Sequence, residues 1–410
     1  MAKIDDSVKK KVPELRFKGF TNDWEERKLG ELGSVAMNRR IFKDQTSENE
    51  EVPFFKIGTF GSKPDAFISR ELFEEYKLKY PYPEIGDILI SASGSIGRIV
   101  VYQGEDEYFQ DSNIVWLKHD NRLDNKFLKQ FYSIVKWQGL EGSTIKRLYN
   151  KNILDTDISI PSTIEQNKIG MFFEQLDDTI ALHQRKLDLL EEQKKGYLQK
   201  MFPKNGEKVP ELRFAGFADD WEERKLGDVG DTFTGLTGKT KEDFGHGSAK
   251  FVTYVNVFQN PIATLDQLDA VEIDEKQNQV QKGDVFFTTS SETPEEVGMS
   301  SVWTYDTKNV YLNSFTFGYR PRVSFDLNYM ASMLRSPSIR KKITFLAQGI
   351  SRYNISKTKM LEIEIPAPNL SEQKKIGSFF KQLDDTIALH QRKLDLLKEQ
   401  KKGFLQKMFV

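Results

Sequence analysis

Two short segments combine basic side chains with uncharged hydrogen-bonding side chains, which are residue types that contact nucleic acids. The segments read STIKRLYNKN and GISRYNISKTK, and their candidate contact residues are Lys146, Arg147, Lys151, Arg352, Tyr353 and Lys357. Lysine and arginine position phosphates, whereas arginine, asparagine, serine and threonine also read base edges. The alternative interpretation is a lysine-rich surface that only faces solvent.

Each of these segments belongs to a longer basic tract near the end of a variable stretch of about 150 residues, which we interpret as a globule. Residues 330–361 contain no acidic residue, and residues 125–154 contain only Glu141. The basic residues are Lys126, Lys129, Lys136, Lys146, Arg147 and Lys151 in the first tract, and Arg335, Arg340, Lys341, Lys342, Arg352, Lys357 and Lys359 in the second. Alignment on the Ile-Pro dipeptide that follows each tract places Arg147 opposite Arg352. The repeated occurrence favours nucleic acid as the partner.

A second set of candidate contacts lies in two turns that follow predicted strands. GDILISASGSIGRIVVY contributes Ser93, Ser95 and Arg98, and the matching GDVFFTTSSETPEEVGMSSVWTY contributes Ser290 and Ser291. The second loop is longer by about four residues, and a difference in loop length indicates that the two halves contact different targets.

Patterns for catalysis are absent from the sequence. It has no GxxxxGK[ST] phosphate loop, no GxGxxG before a helix, no HExxH and no GxSxG elbow. Four scattered histidines without cysteines offer no metal-binding spacing. The paired carboxylates of LDD, Asp177 with Asp178 and Asp384 with Asp385, point about 100° apart on a helix, and we expect them on a solvated or partner-facing edge. We therefore expect a binding or scaffolding protein, with no catalytic residues and no bound metal.

The chain is a tandem duplication. VPELRFKGFTNDWEERKLGEL is echoed by VPELRFAGFADDWEERKLGDV, and residues 165–202 match residues 372–409 at 33 of 38 positions. The stretches between these markers have diverged and alternate in the manner of short strands, with a few helical pieces. The near-identical segments therefore indicate a task that both halves share, and the diverged stretches indicate a separate task for each half.

The near-identical segments carry apolar residues at alternating steps of four and three, which is the seam of a coiled coil. The seam residues are Phe173, Leu176, Ile180, His183, Leu187 and Leu190 in one copy, and Phe380, Leu383, Ile387, His390, Leu394 and Leu397 in the other. Each helix is predicted to be capped at its start. The two helices could pair parallel or antiparallel, and we predict antiparallel pairing, in which full overlap brings His183 and His390 together at mid-length. Those histidines then fix the register, with a proton switch or a metal site as the alternative.

The predicted fold is α+β, with two globules of mixed strands and short helices joined by two long helices that form an antiparallel coiled coil of pseudo-two-fold symmetry. The predicted segments are a globule at 1–163, a helix at 164–202, a linker at 203–208, a globule at 209–370 and a helix at 371–410.

Composition sets further bounds. The 410 residues suffice for two to three domains, and 38% hydrophobic with 30% charged residues is typical of a globular protein. No apolar run approaches a membrane span and no signal peptide is recognisable, so we expect no membrane contact. The sequence has no cysteines, which fits the expectation of a cytoplasmic protein. The net charge of −1 counts against a nucleic-acid binder unless the positive charge is local.

Taken together, the duplicated markers, the GDILIS…GSIG strand and turn, and the EQNKIG…QLDDTIALHQRKLDLL helix resemble the specificity (S) subunit of type I restriction–modification enzymes. The resemblance covers essentially the whole chain. It implies two target-recognition domains that each read half of a bipartite DNA sequence, and conserved helices that set the spacer and dock two methyltransferase (modification) subunits.

The same resemblance implies that restriction (motor-nuclease) subunits join this core. S-adenosylmethionine, ATP and Mg²⁺ are then used by the partners, and this chain binds no cofactor. The remaining alternative is a coiled-coil adaptor that presents two protein-binding globules and does not bind DNA. It would carry acidic or apolar exposed faces at the positions of the basic tracts.

Overall fold

The computed structural model describes residues 12–140, 146–204 and 206–410. Glu141, the first three residues of STIKRLYNKN, residues 1–11 of the first predicted globule and Asn205 of the predicted linker lie outside the described residues. The chain divides into two compact units. The first unit comprises the described residues up to His183 together with Lys393–Val410, and the second unit is Gln184–Arg392. Each unit therefore contains one globule and parts of both long helices.

The first unit contains short strands and helices in the following order: β1 (Glu25–Lys28), α1 (Leu29–Leu32), β2 (Gly33–Ala36), β3 (Val52–Phe55), β4 (Phe67–Ile68), α2 (Arg70–Lys79), β5 (Ile88–Ser91), β6 (Ile99–Val101), β7 (Tyr108–Phe109), β8 (Ile114–His119), α3 (Asn125–Ile134), α4 (Asn150–Leu154), β9 (Asp157–Ile160) and the start of α5 (Thr163–Lys200). Three sheets result, with strand orders β2-β8-β5-β6, β4-β3-β7 and β1-β9.

The second unit repeats this arrangement of elements. In chain order they are the end of α5, β10 (Glu222–Lys225), α6 (Leu226–Val229), β11 (Gly230–Thr234), β12 (Phe244–Val252), α7 (Tyr254–Gln259), β13 (Leu268–Val271), β14 (Val285–Thr288), β15 (Ser290–Ser291), β16 (Ser300–Val302), β17 (Val310–Leu312), β18 (Thr316–Pro321), α8 (Leu327–Leu334), α9 (Pro337–Leu346), β19 (Tyr353–Asn354), α10 (Lys357–Leu361), β20 (Glu364–Ala367) and the start of α11 (Leu370–Met408). Its sheets are β11-β18-β14-β16, β13-β12-β17, β10-β20 and the small pair β15-β19. The predicted α+β class is confirmed.

The end of each long helix packs into the globule of the other half of the sequence. Leu405 and Met408, at the end of α11, belong to the core of the first unit, where the ring of Phe409 stacks on Phe127 at 5.0 Å. Met201 and Phe202, just after α5, belong to the core of the second unit. Each core is thus completed by residues from the end of the long helix that belongs to the other half of the sequence.

The duplicated VPELRF segment clamps two helix ends. In the first unit, Arg16 donates two hydrogen bonds to the carboxylate of Glu165 at 2.7 and 2.8 Å, and the backbone N–H of Leu15 donates to the carbonyl of Lys407 at 2.8 Å. The Glu165 side chain is 1% exposed. One segment therefore holds the start of α5 against the end of α11.

The same clamp recurs in the second unit. Arg213 donates to the carboxylate of Glu372 at 2.7 and 2.8 Å, and the N–H of Leu212 donates to the carbonyl of Lys200 at 2.8 Å. Here the start of α11 is held against the end of α5. The predicted N-caps are present, because the Glu165 N–H donates to the Ser162 hydroxyl and the Glu372 N–H donates to the Asn369 side chain.

Within each unit the two long helices run in opposite directions. In the first unit Lys401 donates to the Asp177 carboxylate, and Phe172 meets Phe404 edge-on at 5.1 Å. In the second unit Lys194 pairs with Asp384 at 2.5 Å. The antiparallel packing predicted from the seam is therefore observed in each unit.

We expected the LDD carboxylates on a solvated or partner-facing edge, and Asp177 instead lies half-buried between α11 and α3. Its side chain is 23% exposed and accepts hydrogen bonds from both Lys401 and Lys129. Burial alone would raise the pKa of Asp177, but these hydrogen bonds outweigh it and hold the pKa below its usual value. The carboxylate thus anchors the helix pair to α3.

The seam residues are less exposed than the neighbouring leucines outside the seam, which are more than half exposed (Leu182, Leu189, Leu389 and Leu396). All twelve seam residues are buried or half-buried, and the most enclosed are Phe173, Phe380, Leu187 and Leu394. The proximity of His183 and His390 stays a prediction.

No helix in the described part of the chain is long and apolar enough to cross a membrane.

Candidate nucleic-acid interface

In the first unit, three backbone segments lie side by side just beyond the end of β5. The N–H of Ala92 donates to the carbonyl of Asn113 at 2.7 Å, and the N–H of Leu148 donates to the carbonyl of Ala92 at 2.8 Å. These bonds extend the sheet by one rung past β5 and β8. They bring the first predicted turn next to the basic segment that contains Arg147.

Asn113 joins the two sets of predicted contacts. Its side-chain oxygen accepts a hydrogen bond from the Ser93 hydroxyl at 2.7 Å and another from Nη2 of Arg147 at 2.8 Å. Ser93 is 6% exposed, and both Asn113 and Arg147 are half-buried. The Arg147 guanidinium is therefore held in one orientation, which lowers the entropy lost when it contacts a partner.

The turn that carries Ser95 and Arg98 is tight. The Ser91 hydroxyl donates to the carbonyl of Ser95 and accepts from the N–H of Arg98. Gly97 has a φ of +82°, and a Cβ there would lie 2.8 Å from Nε1 of Trp137. The turn therefore requires glycine, and it leaves the side chains of Ser95 and Arg98 exposed.

The second unit builds the same three-segment ladder. Both the N–H and the hydroxyl of Thr289 donate to the carbonyl of Phe315, at 3.2 and 2.7 Å, and the N–H of Ile355 donates to the carbonyl of Thr289 at 3.0 Å. The small sheet β15-β19 continues it, with Ser290 opposite Asn354 and Ser291 opposite Tyr353. All three predicted residues Ser290, Ser291 and Tyr353 thus lie at this edge.

The ladder corrects the alignment of the two basic segments. Ser93 pairs with Arg147 in the first unit and Ser290 pairs with Asn354 in the second, so Arg147 corresponds to Asn354 and not to Arg352. The alignment used the Ile-Pro dipeptide at 365–366, which lies inside β20, whereas the proline that matches Pro161 is Pro368, just after that strand. Apolar and polar residues alternate in both β9 and β20, and each strand has a proline in or next to it. The dipeptide match therefore aligned the two basic segments two residues out of register.

Arg352 lies at the tip of a hairpin. Gln348 and Asn354 exchange backbone hydrogen bonds at 2.9 and 2.8 Å across the tip, where Gly349 has a φ of +151°. Ile350 is 97% exposed, and Arg352 is exposed. The hairpin thus presents both an apolar and a basic side chain beyond the ladder.

Several residues of the basic tracts have structural roles. Arg335 donates to the carbonyls of Ser300, Val257 and Phe258, and Arg340 donates to those of Gly298, Val297 and Glu295. Burial lowers the pKa of both guanidiniums to about 10. In the first unit Lys126 and Lys129 pair with Glu174 and Asp177 on α5. These four residues hold each unit together.

The remaining predicted lysines lie close to the ladder in sequence. Lys146 and Lys151 are exposed, and Lys357 is half-buried at the first position of α10. Among the residues that the structure describes, no group of three or more histidine, aspartate or glutamate side chains could hold a metal ion.

Three ladder residues escaped the sequence analysis: Asn113, Phe315 and Asn354. Neither asparagine nor phenylalanine is unusual in a loop, so composition gave no signal at these positions. Alignment of the strands that directly follow Asn113 and Phe315, β8 and β18, could have paired these two residues.

Two segments of the chain, residues 21–192 and 218–399, match the family model described as the type I restriction modification DNA specificity domain. The chain therefore belongs to this family and carries the domain twice. Recognition of DNA within a type I restriction–modification system is the role that this family membership assigns to it.

Two relatives that are similar in sequence are themselves named as type I restriction enzyme specificity subunits, in agreement with this family. A putative type I restriction enzyme specificity subunit of Haemophilus influenzae is 56% identical over 157 residues, which are 37% of this chain and 41% of that protein. A putative type I restriction enzyme specificity subunit of Methanocaldococcus jannaschii is 25% identical over 419 residues, covering 93% of this chain and 92% of that protein.

Solved structures share the fold. The type I restriction-modification S subunit from M. genitalium has a TM-score of 0.62 at 16% identity, covering 97% of this chain and 99% of that one. A chain solved in work on complex assembly and conformational transition of the type I R-M system has a TM-score of 0.53 at 16% identity, covering 94% and 97%.

Proposed function

We propose that this DNA-specificity chain reads a bipartite target, with each unit contacting one half-site through its three-segment ladder. The observation that carries the proposal is the recurrence of one backbone frame with different side chains. The frame holds Ser93, Asn113 and Arg147 in the first unit. It holds Ser290, Phe315 and Asn354 in the second unit. A common frame with exchanged side chains suits two readers of different base sequences.

The side chains indicate the kind of reading. Arginine pairs with the O6 and N7 atoms of guanine in the major groove, and asparagine pairs with N6 and N7 of adenine. The exposed Lys146, Lys151 and Arg352 supply phosphate contacts beside the frame. The predicted contacts Ser95, Arg98 and Lys357 form the margin of the same surface.

The long helices supply the second part of the proposed function. Two equal sequences, 175–190 and 382–397, offer two equal surfaces, which suits two copies of one methyltransferase subunit. Motor-nuclease subunits join that core. S-adenosylmethionine, ATP and Mg²⁺ serve the partner subunits, so that this chain contributes recognition and no catalytic group. An adaptor without a DNA role would not need the basic margins of both ladders.

Arg147→Ala is expected to weaken binding of the assembled complex at the half-site of the first unit only. Loss of a base-reading arginine corresponds to about 1–3 kcal/mol, or roughly 5- to 150-fold. Competition binding on duplexes with either half-site scrambled measures this. The difference in affinity between Arg147→Ala and the unaltered chain should disappear when the half-site of the first unit is scrambled. It should persist when the half-site of the second unit is scrambled.

Asn354→Ala is the matched variant for the second half-site, and Arg70→Ala is the control for a surface charge that already pairs with Asp106. Equal losses at both half-sites, or a loss in Arg70→Ala as large as in Arg147→Ala, would count against separate readers. A complex that binds all duplexes equally would remove the proposed function altogether.

Deletion of one heptad from each long helix, residues 184–190 and 391–397, is expected to shorten the unread spacer of the target. Seven residues span about 10.5 Å at 1.5 Å per residue, which is about three base pairs at 3.4 Å each. Methylation mapping of the host genome gives the spacer directly. The matched control deletes the heptad from α5 alone. This deletion shifts the two helices out of register with each other and should abolish methylation. An unchanged spacer in the double deletion would contradict the proposal.

A further inference from the structure

Phe315 is an aromatic residue held at the ladder of the second unit with its side chain in solvent. Its side chain is 68% exposed although it directly precedes β18, whose first four residues are buried. Full burial of a phenylalanine side chain is worth roughly 1.5–3 kcal/mol, so this ring forgoes much of that stabilisation within its own unit. An exposed aromatic at the edge of a binding surface is a signature of a contact residue.

The backbone of Phe315 is fixed from both sides. Its carbonyl accepts two hydrogen bonds from Thr289, and its N–H donates to the side-chain oxygen of Asn313 at 2.9 Å. Asn313 is 5% exposed and donates in turn to the carbonyl of Val252 at 2.9 Å. The ring therefore projects from a rigid position, and a contact through it costs little conformational entropy.

The first unit carries Asn113 at the same rung. Ala92 and Thr289 make equivalent hydrogen bonds to the carbonyls of Asn113 and Phe315. Asn113 accepts hydrogen bonds and thereby orients Arg147. A phenyl ring accepts none, and the residue opposite Ser290 is Asn354 in place of arginine. The two units thus differ at both positions: the first has a polar pair that orients a guanidinium, and the second has an apolar ring next to the rung of an amide.

The chemistry of base edges identifies what the ring fits. In the major groove the only apolar group on a base edge is the 5-methyl of thymine, and phenylalanine is one of the side chains that contacts it. The neighbouring amide of Asn354 suits adenine, the partner of thymine in a base pair. A ring and an amide on adjacent rungs thus complement A·T pairs.

We propose that Phe315 reads the methyl group of a thymine in the half-site of the second unit. This inference rests on the proposed function, because it presupposes that the ladder faces DNA. It adds that the base contacted there is thymine and that the contact is apolar. The first unit makes no equivalent contact, since its residue at this rung is the hydrogen-bonding Asn113.

The test replaces each thymine of the target singly with uracil, which removes only the 5-methyl group. For the complex assembled with unaltered chain, one such replacement in the half-site of the second unit should weaken binding about four-fold. That factor corresponds to roughly 0.8 kcal/mol for one buried methyl-sized group. Phe315→Ala should weaken binding to the thymine duplex about ten-fold. Its exposed ring and retained backbone hydrogen bonds leave the fold intact.

The decisive comparison combines both changes. Phe315→Ala should bind the thymine and uracil duplexes within two-fold of each other, because the methyl group has lost its partner. Asn113→Ala, the matched variant of the first unit, should keep the four-fold sensitivity. If Phe315→Ala retains the full methyl sensitivity, or if no thymine in that half-site is sensitive, the inference is overturned. Failure of the proposed function looks different, because scrambled half-sites would then bind as well as intact ones.

Discussion

Arg16→Ala is expected to destabilise the first unit by about 3–5 kcal/mol. The substitution leaves the carboxylate of Glu165, which is 1% exposed, buried without its bidentate partner, and an uncompensated buried charge carries a cost of that size. The clamp also positions Leu15 against the carbonyl of Lys407, so the end of α11 should loosen with it. Hydrogen exchange followed by mass spectrometry reports the loss separately for each unit.

The duplication provides matched controls for this prediction. Arg213→Ala removes the same bonds from Glu372 and should destabilise the second unit instead of the first. Arg27→Ala removes an exposed pair with Glu25 and should leave the stability of the first unit almost unchanged. Addition of Glu165→Gln to Arg16→Ala should recover part of the loss, since the buried charge is then gone. A loss below 1 kcal/mol in Arg16→Ala would show that the clamp does not hold the helix ends.

Met408→Ala is expected to destabilise the first unit, and Met201→Ala the second, each by roughly 2–5 kcal/mol. Both methionines are 3% exposed, and they are equivalent residues of the two near-identical helices. Met408 packs in the core that contains Trp24, whereas Met201 packs in the core that contains Trp221. Each substitution therefore acts on the globule from the opposite half of the sequence.

Hydrogen exchange is measured for the two variants and compared unit by unit. It distinguishes this arrangement from one in which each helix end packs into the core of the globule that precedes it in the sequence. Increased exchange of the first unit in Met408→Ala, with the second unit unchanged, is the expected pattern. The reverse pattern in the same variant would contradict the exchange of helix ends. Lys398→Ala, at an exposed position of the same helix, is the control for helix propensity alone.

The sequence predicted the features that depend on local periodicity. The seam from Phe173 to Leu190 and the caps at Ser162 and Asn369 follow from residue spacing and elementary capping chemistry. The spacing left both directions of helix pairing open, and the antiparallel one was favoured because it gives the duplicated halves a pseudo-two-fold arrangement. The DNA role followed from the duplicated markers. The described basic residues of the tracts gave the location of the candidate interface but not the function of each member.

Tertiary contacts decided the rest. Arg335 and Arg340 looked like phosphate contacts, but they satisfy backbone carbonyls of the core, and no local pattern distinguishes the two roles. The half-burial of Asp177 could not be predicted because its partners Lys401 and Lys129 come from elements distant in sequence. The alignment of Arg147 with Arg352 failed because strand register depends on hydrogen bonds, which a dipeptide match does not encode.

The exchanged helix ends have a consequence for folding during synthesis. The core of the first unit includes Leu405 and Met408, so the first globule leaves the ribosome long before its own core can close. The second globule, whose core takes Met201 and Phe202, has these residues at hand before its strands emerge. We therefore expect the usual amino-to-carboxyl order of domain folding to be reversed, with the later-made half maturing first.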